Sequence, residues 1–258
     1  MLDLQNIQYK VGQKQILTNV NIAFEPGQIH MVLGPNGSGK TSLLKIASGQ
    51  NHKFQGKVIY GAQSLDTISP SYLAKYRSYL SQQSTIAFPL TVKEVVNMGR
   101  YPHFEYQLSK HDHDITTQVI EKLEIQQLQN RDFNTLSGGE QQRVQFARVL
   151  SQVWEPVEGE NRYLFLDEPL NNLDIQYQKA FLELIQGFLQ KDIVIIMIVH
   201  DINWAFSYAD KVYFLKEGQL IAHGSPIEII NTNLIKNVFN VSSRIVNLPD
   251  HKFPQVVF

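Results

Sequence analysis

The chain has 258 residues, of which 43% are hydrophobic and 18% are charged, and its formal net charge is −1. These values are typical of a globular chain with one large domain, or with one domain that carries an inserted subdomain. The near-neutral charge argues against nucleic-acid binding, which needs clustered Lys and Arg, and the absence of cysteine excludes disulfides and thiolate metal sites.

The hydropathy pattern does not predict a membrane-spanning segment. The most apolar run, residues 193–199, is much shorter than the ~20 residues that a membrane-spanning helix needs. The N-terminal residues do not have the pattern of a signal peptide. We therefore expect a cytoplasmic protein that reaches a membrane only by docking to another protein.

The N-terminal part of the chain has the pattern of strands around a glycine-rich loop. Residues 2–24 alternate around a turn near Gly12, which predicts an antiparallel layer. Residues 29–33 form a short apolar run, and residues 40–48 carry apolar side chains at helical spacing before Gly49. The sequence thus predicts strand, loop and helix, and the loop between them reads Gly34-Pro35-Asn36-Gly37-Ser38-Gly39-Lys40-Thr41-Ser42.

Residues 91–153 have a different periodicity, which is helical. We interpret this region as a helical subdomain inserted into an α/β core. The apolar positions that carry the periodicity are Val92, Val95, Val96, Ile115, Val119, Ile120, Leu123, Val144, Phe146, Ala147, Val149 and Leu150.

The C-terminal part returns to an α/β pattern. Residues 163–166 and 193–199 are continuous apolar runs, as expected for strands of a parallel sheet that is covered on both faces. Residues 211–222 predict a hairpin with Glu217-Gly218 at the turn. Residues 227–239 predict one or two short helices, and residues 241–258 an irregular tail.

The glycine-rich loop has the composition of a phosphate-binding P-loop. Its glycines allow backbone N–H groups to surround phosphate oxygens, and the positive end of the following helix adds to this attraction. Lys40 is expected to contact the β- and γ-phosphates, and Thr41 to bind Mg²⁺. The alternative is a glycine-rich turn with a surface lysine, which the match at every fixed position after an apolar strand disfavours.

Asp167 and Glu168 end the apolar run of residues 163–166 and are followed by Pro169. The carboxyl end of a buried strand is where ligands bind in open α/β sheets. Two adjacent carboxylates at this place therefore indicate a ligand site. The alternative, two solvated acids at a strand end, is common for an isolated pair but loses weight beside a P-loop.

Between these two motifs lies Leu136-Ser137-Gly138-Gly139-Glu140-Gln141-Gln142-Arg143-Val144. This order of motifs resembles the ATPase subunits of ABC transporters over about residues 2–223. The resemblance implies an α/β fold, with a P-loop NTPase (RecA-like) core, an N-terminal antiparallel β layer and an inserted α-helical subdomain. It also implies a single ABC ATPase domain over residues 1–258. Within it, residues 1–90 and 159–240 would form the nucleotide-binding α/β core, residues 91–153 the helical subdomain with the signature motif, and residues 241–258 the tail.

The resemblance also assigns catalytic roles, with ATP and Mg²⁺ as the cofactors. Glu168 matches the residue that polarises the attacking water, and His200, followed by Asp201, matches the switch histidine that contacts the γ-phosphate. Gln82 matches the glutamine that reaches Mg²⁺ and this water, although the adjacent Gln83 leaves the register open by one residue. The implied catalytic residues are Glu168, His200, Gln82 and Lys40, and the implied metal ligands are Thr41, Gln82 and Asp167.

The implied nucleotide contacts come from two copies of the chain. Tyr9 matches the aromatic residue that stacks on adenine, although a tyrosine in a strand is more often part of a core. The second copy would supply the signature residues and Asp174. The full set is Tyr9, Gly34, Pro35, Asn36, Gly37, Ser38, Gly39, Lys40, Thr41 and Ser42 in one copy, with Ser137, Gly138, Gly139 and Asp174 from the other.

The loop before Asp174 departs from the family pattern. Leu170 replaces the usual threonine, and Asn171-Asn172 replaces the more frequent serine-alanine. Neither position supplies a phosphate contact in the family, so we expect ATPase activity to be kept. The departure puts communication between the two sites in doubt.

Residues 87–103 are similar to importers of iron chelates, haem and cobalamin, and the long segment 151–162 looks most like the haem-importer branch. This resemblance implies a homodimer that docks to two integral-membrane permease subunits and acts indirectly with a substrate-binding protein, without nucleic acid. The subunit would lie peripherally on the cytoplasmic face of the inner membrane. The alternatives are a siderophore or cobalamin importer, an exporter ATPase, an iron–sulfur cluster assembly ATPase, and a regulatory module without hydrolysis.

His111-Asp112-His113-Asp114 has a spacing that suggests a metal site. Alternatively, Ser109 caps a helix whose first turn carries the two aspartates, which the helix dipole favours. A short His tract without a second ligand cluster is weak support for a metal. We therefore favour the helix cap.

Overall fold

The computed structural model describes residues 1–81, 86–104, 106–171, 173–247 and 253–258. The strands, in chain order, are β1 (Leu2–Val11), β2 (Lys14–Phe24), β3 (Gln28–Leu33), β4 (Gln55–Tyr60), β5 (Gln63–Ser64), β6 (Arg77–Leu80), β7 (Arg162–Asp167), β8 (Ile193–Ile198), β9 (Lys211–Lys216), β10 (Gln219–Gly224), β11 (Arg244–Val246) and β12 (Gln255–Val257). The α-helices are α1 (Lys40–Ala47), α2 (Pro70–Tyr76), α3 (Val92–Asn97), α4 (Lys110–Lys122), α5 (Gly138–Gln152), α6 (Ile175–Phe188), α7 (Ile202–Tyr208), α8 (Pro226–Ile229) and α9 (Thr232–Phe239).

The N-terminal strands form an antiparallel sheet in the order β2-β1-β4-β5. β1 and β2 are joined at Gly12, whose φ of +58° suits a residue without a Cβ. The predicted antiparallel layer is therefore confirmed, and β4 and β5, which the sequence analysis did not identify, extend it.

The second sheet has the order β10-β9-β3-β8-β7-β6. Its strands β9, β3, β8, β7 and β6 are parallel, and β10 is antiparallel to β9. Every residue of β7 and β8 is buried, which explains why residues 163–166 of β7 and all of β8 are continuously apolar rather than alternating. The predicted parallel sheet and the predicted hairpin of β9 and β10 are both confirmed.

The two faces of the parallel sheet contribute to different cores. One core lies between this sheet, α1 and the antiparallel layer. The other lies between the opposite face and the helices, including α3, α4 and α5. The five parallel strands of this sheet run in the same direction, so the loops that follow β3, β7 and β8 meet at one edge.

The helices α3, α4 and α5, between β6 and β7, each begin with an N-terminal capping motif that stabilises the first turn. Thr91, Ser109 and Ser137 each form a capping box at the start of α3, α4 and α5, in which the side chain accepts from the backbone N–H of the third helical residue and that residue's carboxylate reaches back. The helical periodicity predicted for this part of the chain is confirmed. None of the helices in the described ranges has the length and apolar composition that a membrane crossing requires.

Asp112, the first aspartate of the tract 111–114, has a structural role. Asp112 is buried, accepts a hydrogen bond from the Ser109 hydroxyl (2.6 Å) and forms an ion pair with Arg100 (3.0 Å). His111 lies 2.9 Å from Glu155 at the surface. Ser109 thus caps α4 as predicted, and Asp112 also joins α4 to the segment before it.

The prediction of an irregular C-terminal tail is wrong. β11 and β12 pair in antiparallel fashion, and Val256 is buried. The side chain of Asn203 in α7 donates to the carbonyl of Val256 (3.1 Å) and accepts from its N–H (2.8 Å). These strands are too short to be stable alone, so they depend on this contact with α7, which no local pattern reveals.

Candidate functional site

The loop between β3 and α1 has a backbone that only glycine can adopt at its start. Gly34 has φ of +152°, and a Cβ there would lie 2.0 Å from the carbonyl oxygen of Leu215. Gly39 has φ of +100°, and a Cβ there would lie 2.9 Å from the carbonyl oxygen of Ile16. The loop therefore lies directly against β9 and β2, and its N–H groups and the start of α1 face the same space.

Lys40, the first residue of α1, is held inside this loop. Only 6% of it is exposed, and its Nζ donates to the carbonyl oxygens of Gly34 (2.8 Å) and Pro35 (3.1 Å). Burial lowers the pKa of the ammonium, and the carboxylates of Glu168 and Asp167 act in the opposite direction. A cation placed among backbone N–H groups makes this loop suitable for a polyanion.

Asp167, at the end of β7, lies beside the first turn of α1. It is almost fully buried, and its two carboxylate oxygens accept hydrogen bonds from Thr41 Oγ1 (3.2 Å) and Tyr79 OH (2.9 Å). Burial raises the pKa of this carboxyl, and the two hydrogen bonds oppose the rise. A carboxylate next to a hydroxyl is the oxygen donor set that Mg²⁺ prefers, so these residues fit that ion.

Glu168 follows β7 and lies beside His200, which follows the neighbouring strand β8. The backbone of Glu168 is in the left-handed region, with φ of +53°, which is unusual for a residue with a Cβ. Its Oε1 lies 2.8 Å from His200 Nε2, and its Oε2 accepts a hydrogen bond from Asn171 Nδ2 (2.6 Å). The chain thus places a carboxylate, held on both oxygens, at the carboxyl edge of the sheet.

The P-loop, Glu168 and His200 line one cavity of about 720 Å³, which we call the P-loop cavity. Most of the residues predicted for one copy of the nucleotide site are in its lining. Lys14, Ile16 and Asn171 were missed by the sequence analysis, because they are near the loop only in the folded chain. The lining residues are Lys14, Ile16, Asn36, Gly37, Ser38, Gly39, Lys40, Thr41, Ser42, Glu168, Asn171 and His200.

Among the described residues, four that were predicted for this half-site do not line the cavity: Tyr9, Gly34, Pro35 and Asp167. Tyr9 lies on β1, half-buried against the core, and within the described ranges it is not part of the lining. Its stacking on adenine stays a prediction. Gln82 lies outside the described residues, as does the adjacent Gln83.

Of the predicted signature residues, Ser137 and Gly139, but not Gly138, line a second, smaller cleft of about 230 Å³, which we call the signature cleft. Ser137 caps α5 there, with its hydroxyl 2.8 Å from Glu140 Oε2. Asp174, which precedes α6, lines the same cleft. In the described part of the chain, no residue lines both this cleft and the cavity of the P-loop. The complete lining is Ser137, Gly139, Glu140, Arg143, Leu173, Asp174 and Tyr177.

A glycine-rich loop between a buried parallel strand and a helix, with a carboxylate at the end of a nearby strand, defines a P-loop nucleotide-binding protein. Residues 17–171 match the family described as ABC transporter. Two relatives, the hemin import ATP-binding proteins HmuV of Mesorhizobium japonicum and of Escherichia coli O157:H7, are each 36% identical over 258 residues. These matches cover all of this chain and 98% and 99% of the relatives. The chain belongs to the ABC transporter family, as a subunit that binds and hydrolyses ATP.

Solved structures support the same fold. A metal-chelate type ABC transporter in an inward-facing conformation has a TM-score of 0.81 at 23% identity, and the match covers 99% of this chain and 96% of the other. The ATP-binding cassette MJ0796, in a dimeric post-hydrolysis state bound to ADP and Pi, has a TM-score of 0.75 at 25% identity. That match covers 88% of this chain and 99% of the other. The predicted fold class, a P-loop NTPase core with an antiparallel layer and an inserted helical part, is confirmed.

Proposed function

We propose that the chain is the ATP-hydrolysing subunit of an importer that takes up haem or another iron complex through a separate permease, and that it acts as a homodimer. The observation that carries this proposal is the separation of the P-loop cavity from the signature cleft within one chain. The full-length similarity to hemin import ATP-binding proteins supports haem as the cargo.

A second copy is needed because one chain presents two half-sites. The P-loop cavity is lined by the cationic Lys40 and the carboxylate of Glu168 but is open to solvent. The signature cleft offers the N-terminus of α5, an end of a helix that attracts anions. If two copies face each other, Ser137 and Gly139 of one chain lie against the γ-phosphate that the other chain holds. MJ0796, a cassette of the same fold, is a dimer.

The chemistry within one half-site follows from the positions of its side chains. Lys40 and the loop N–H groups bind the β- and γ-phosphates, and Glu168 orients a water for in-line attack and accepts its proton. His200 lies 2.8 Å from Glu168 and lines the same cavity as Lys40, and by resemblance it would donate to a γ-phosphate oxygen. Thr41 and Asp167, and by resemblance Gln82, would hold Mg²⁺, which neutralises charge on the phosphates when it is bound. Loss of the γ-phosphate removes contacts between the copies, so the dimer opens.

The proposal places the subunit peripherally on the cytoplasmic face of the inner membrane. There it binds two permease subunits, which convert the opening and closing of the dimer into transport. A substrate-binding protein would act on the other side and contact the permease only. The near-neutral net charge does not favour nucleic acid as a partner.

The importer can be tested by affinity purification of a tagged Glu168→Gln chain from native membranes in the presence of Mg²⁺ and ATP. We expect a polytopic permease, with a haem- or siderophore-binding partner, to be identified by mass spectrometry. Recovery of soluble assembly factors without any membrane protein would overturn the importer and leave the ATPase intact.

The composite site predicts that a charge at Gly139 prevents dimer formation. A Cβ at Gly139 has space, since its nearest neighbour would be Leu173 Cδ2 at 3.7 Å, so the Gly139→Asp chain is expected to fold. Its carboxylate would face the partner's γ-phosphate, so ATP-dependent dimerisation of a Glu168→Gln chain should weaken by ~100-fold or more. Analytical ultracentrifugation with ATP measures this.

The control for this prediction is Gly187→Asp, which introduces the same charge on the exposed end of α6, where a Cβ meets nothing within 4 Å. It should dimerise like the parent chain. As monomers, the Gly139→Asp and Gly187→Asp variants should both bind fluorescent ATP with the affinity of the parent chain. A Gly139→Asp chain that dimerises as tightly as the control would exclude the signature cleft from the ATP interface.

A further inference from the structure

Asn171 is attached to Glu168 at two points. Its backbone N–H donates to the carbonyl oxygen of Glu168 (3.2 Å), and its side-chain Nδ2 donates to Glu168 Oε2 (2.6 Å). The first contact closes a turn of four residues, and the second uses this turn to fix the glutamate side chain. Because both contacts come from one residue, the position of Asn171 restrains Oε2 of the Glu168 carboxylate.

The loop that carries Asn171 is itself held by neighbouring helices. Gln142 of α5 donates to the carbonyl oxygen of Pro169. Gln178 of α6 donates through Nε2 to the carbonyl oxygens of Leu170 and Leu173, at 3.1 Å each. The backbone on each side of Asn171 is therefore anchored, so its amide is presented to Glu168 from a fixed base.

We propose that Asn171 is a positioning residue for ATP hydrolysis, which orients the carboxylate of Glu168 toward the attacking water. A glutamate side chain rotates about three bonds, and a base that samples several orientations is correctly placed for only part of the time. Asn171 holds Oε2 while His200 lies on Oε1, and the carboxylate is 11% exposed. The inference rests on the ATP-hydrolysing role of Glu168 in the proposed function.

The amide is the group that this role requires. Its NH₂ is a donor, and a carboxylate such as Glu168 is an acceptor only. Aspartate has almost the same size and forms the same kinds of turn as asparagine, but it has no donor when ionised. An aspartate at position 171 would therefore keep the shape of the loop and replace attraction to Glu168 with repulsion. This difference separates a positioning role from a merely structural one.

The test measures kcat and KM for ATP on the purified full chain. We expect Asn171→Ala to lower kcat about tenfold with KM for ATP unchanged, because the amide acts on the transition state rather than on ATP binding, and Asn171→Asp to lower kcat about 100-fold. In a Glu168→Ala background, where no carboxylate remains to be oriented, Asn171→Asp should change the residual rate by less than about twofold.

The matched control is Asn233→Asp, which makes the same charge change on the exposed face of α9 and should keep the parent kcat. The positioning role is overturned if Asn171→Asp has the kcat of this control, or if its full effect persists without Glu168. This outcome is distinct from failure of the proposed importer function. In that case the parent chain would hydrolyse ATP, but no permease would be purified with it.

Discussion

Replacement of Glu168 by glutamine is expected to lower ATP turnover by about 100-fold or more and to leave ATP binding intact. An amide cannot accept the proton of the attacking water, so the loss falls on kcat. Binding should persist because the P-loop backbone and Lys40, which hold the phosphates, are unchanged. The amide oxygen can still accept a hydrogen bond from Asn171, so the loop keeps its shape. Steady-state phosphate release and equilibrium binding of a fluorescent ATP measure the two effects.

Glu183→Gln is the control for this variant. Glu183 lies on α6, 56% of its side chain is exposed, and its ion pair with Lys179 (3.7 Å) contributes little at the surface. This variant should turn over ATP at the parent rate. Rapid hydrolysis by the Glu168→Gln chain would exclude Glu168 as the base and direct attention to His200.

The sequence predicts most of the elements that build the site, because each has a strong local signal. β7 and β8 are buried on both faces, so residues 163–166 of β7 and all of β8 are continuously apolar. The P-loop glycines are required by the backbone conformation, so they occur in a recognisable spacing. Capping boxes mark the start of the helices that follow β6.

The remaining site residues could not be predicted, because their roles come from contacts between distant segments. Tyr79 has the pattern of a buried strand residue, and only the pairing of β6 with β7 shows that its hydroxyl reaches Asp167. Ile16 lies on β2, in the other sheet, and meets the P-loop through the packing of the two layers. The sequence shows that Asn171 departs from the family pattern. Its hydrogen bond to Glu168 could not be predicted, because it depends on the turn at the end of β7.

A chain of contacts joins the P-loop cavity to the signature cleft through α6. Trp204 lies in α7, shortly after His200, and its indole N–H donates to Gln178 Oε1 (2.9 Å). Gln178 in turn holds the carbonyl oxygens of the loop that leads to Asp174. Trp204 and Gln178 thus connect the helix that follows His200 to the loop that leads to Asp174.

Replacement of Arg162 is expected to have the largest effect on stability among the substitutions proposed. It is fully buried at the start of β7, and its guanidinium forms a bidentate ion pair with Asp192, with N–O distances of 2.7 and 2.9 Å. It also donates to the carbonyl oxygens of Val153 (2.9 Å) and Trp154 (2.8 Å), just after α5. One side chain thus joins the parallel sheet to the helix that carries the signature residues.

Substitution of Arg162 by methionine should lower the free energy of unfolding by about 3–5 kcal/mol, because the apolar side chain fills similar space but leaves Asp192 and two carbonyl oxygens without their donor. Urea denaturation followed by circular dichroism measures this loss. Arg244→Met, at an exposed position of β11, is the matched control and should change stability by less than about 0.5 kcal/mol. If both variants unfold at the same urea concentration, the buried guanidinium does not stabilise the junction. A selective loss at Arg162 would show that this buried cation stabilises the junction between β7 and the end of α5.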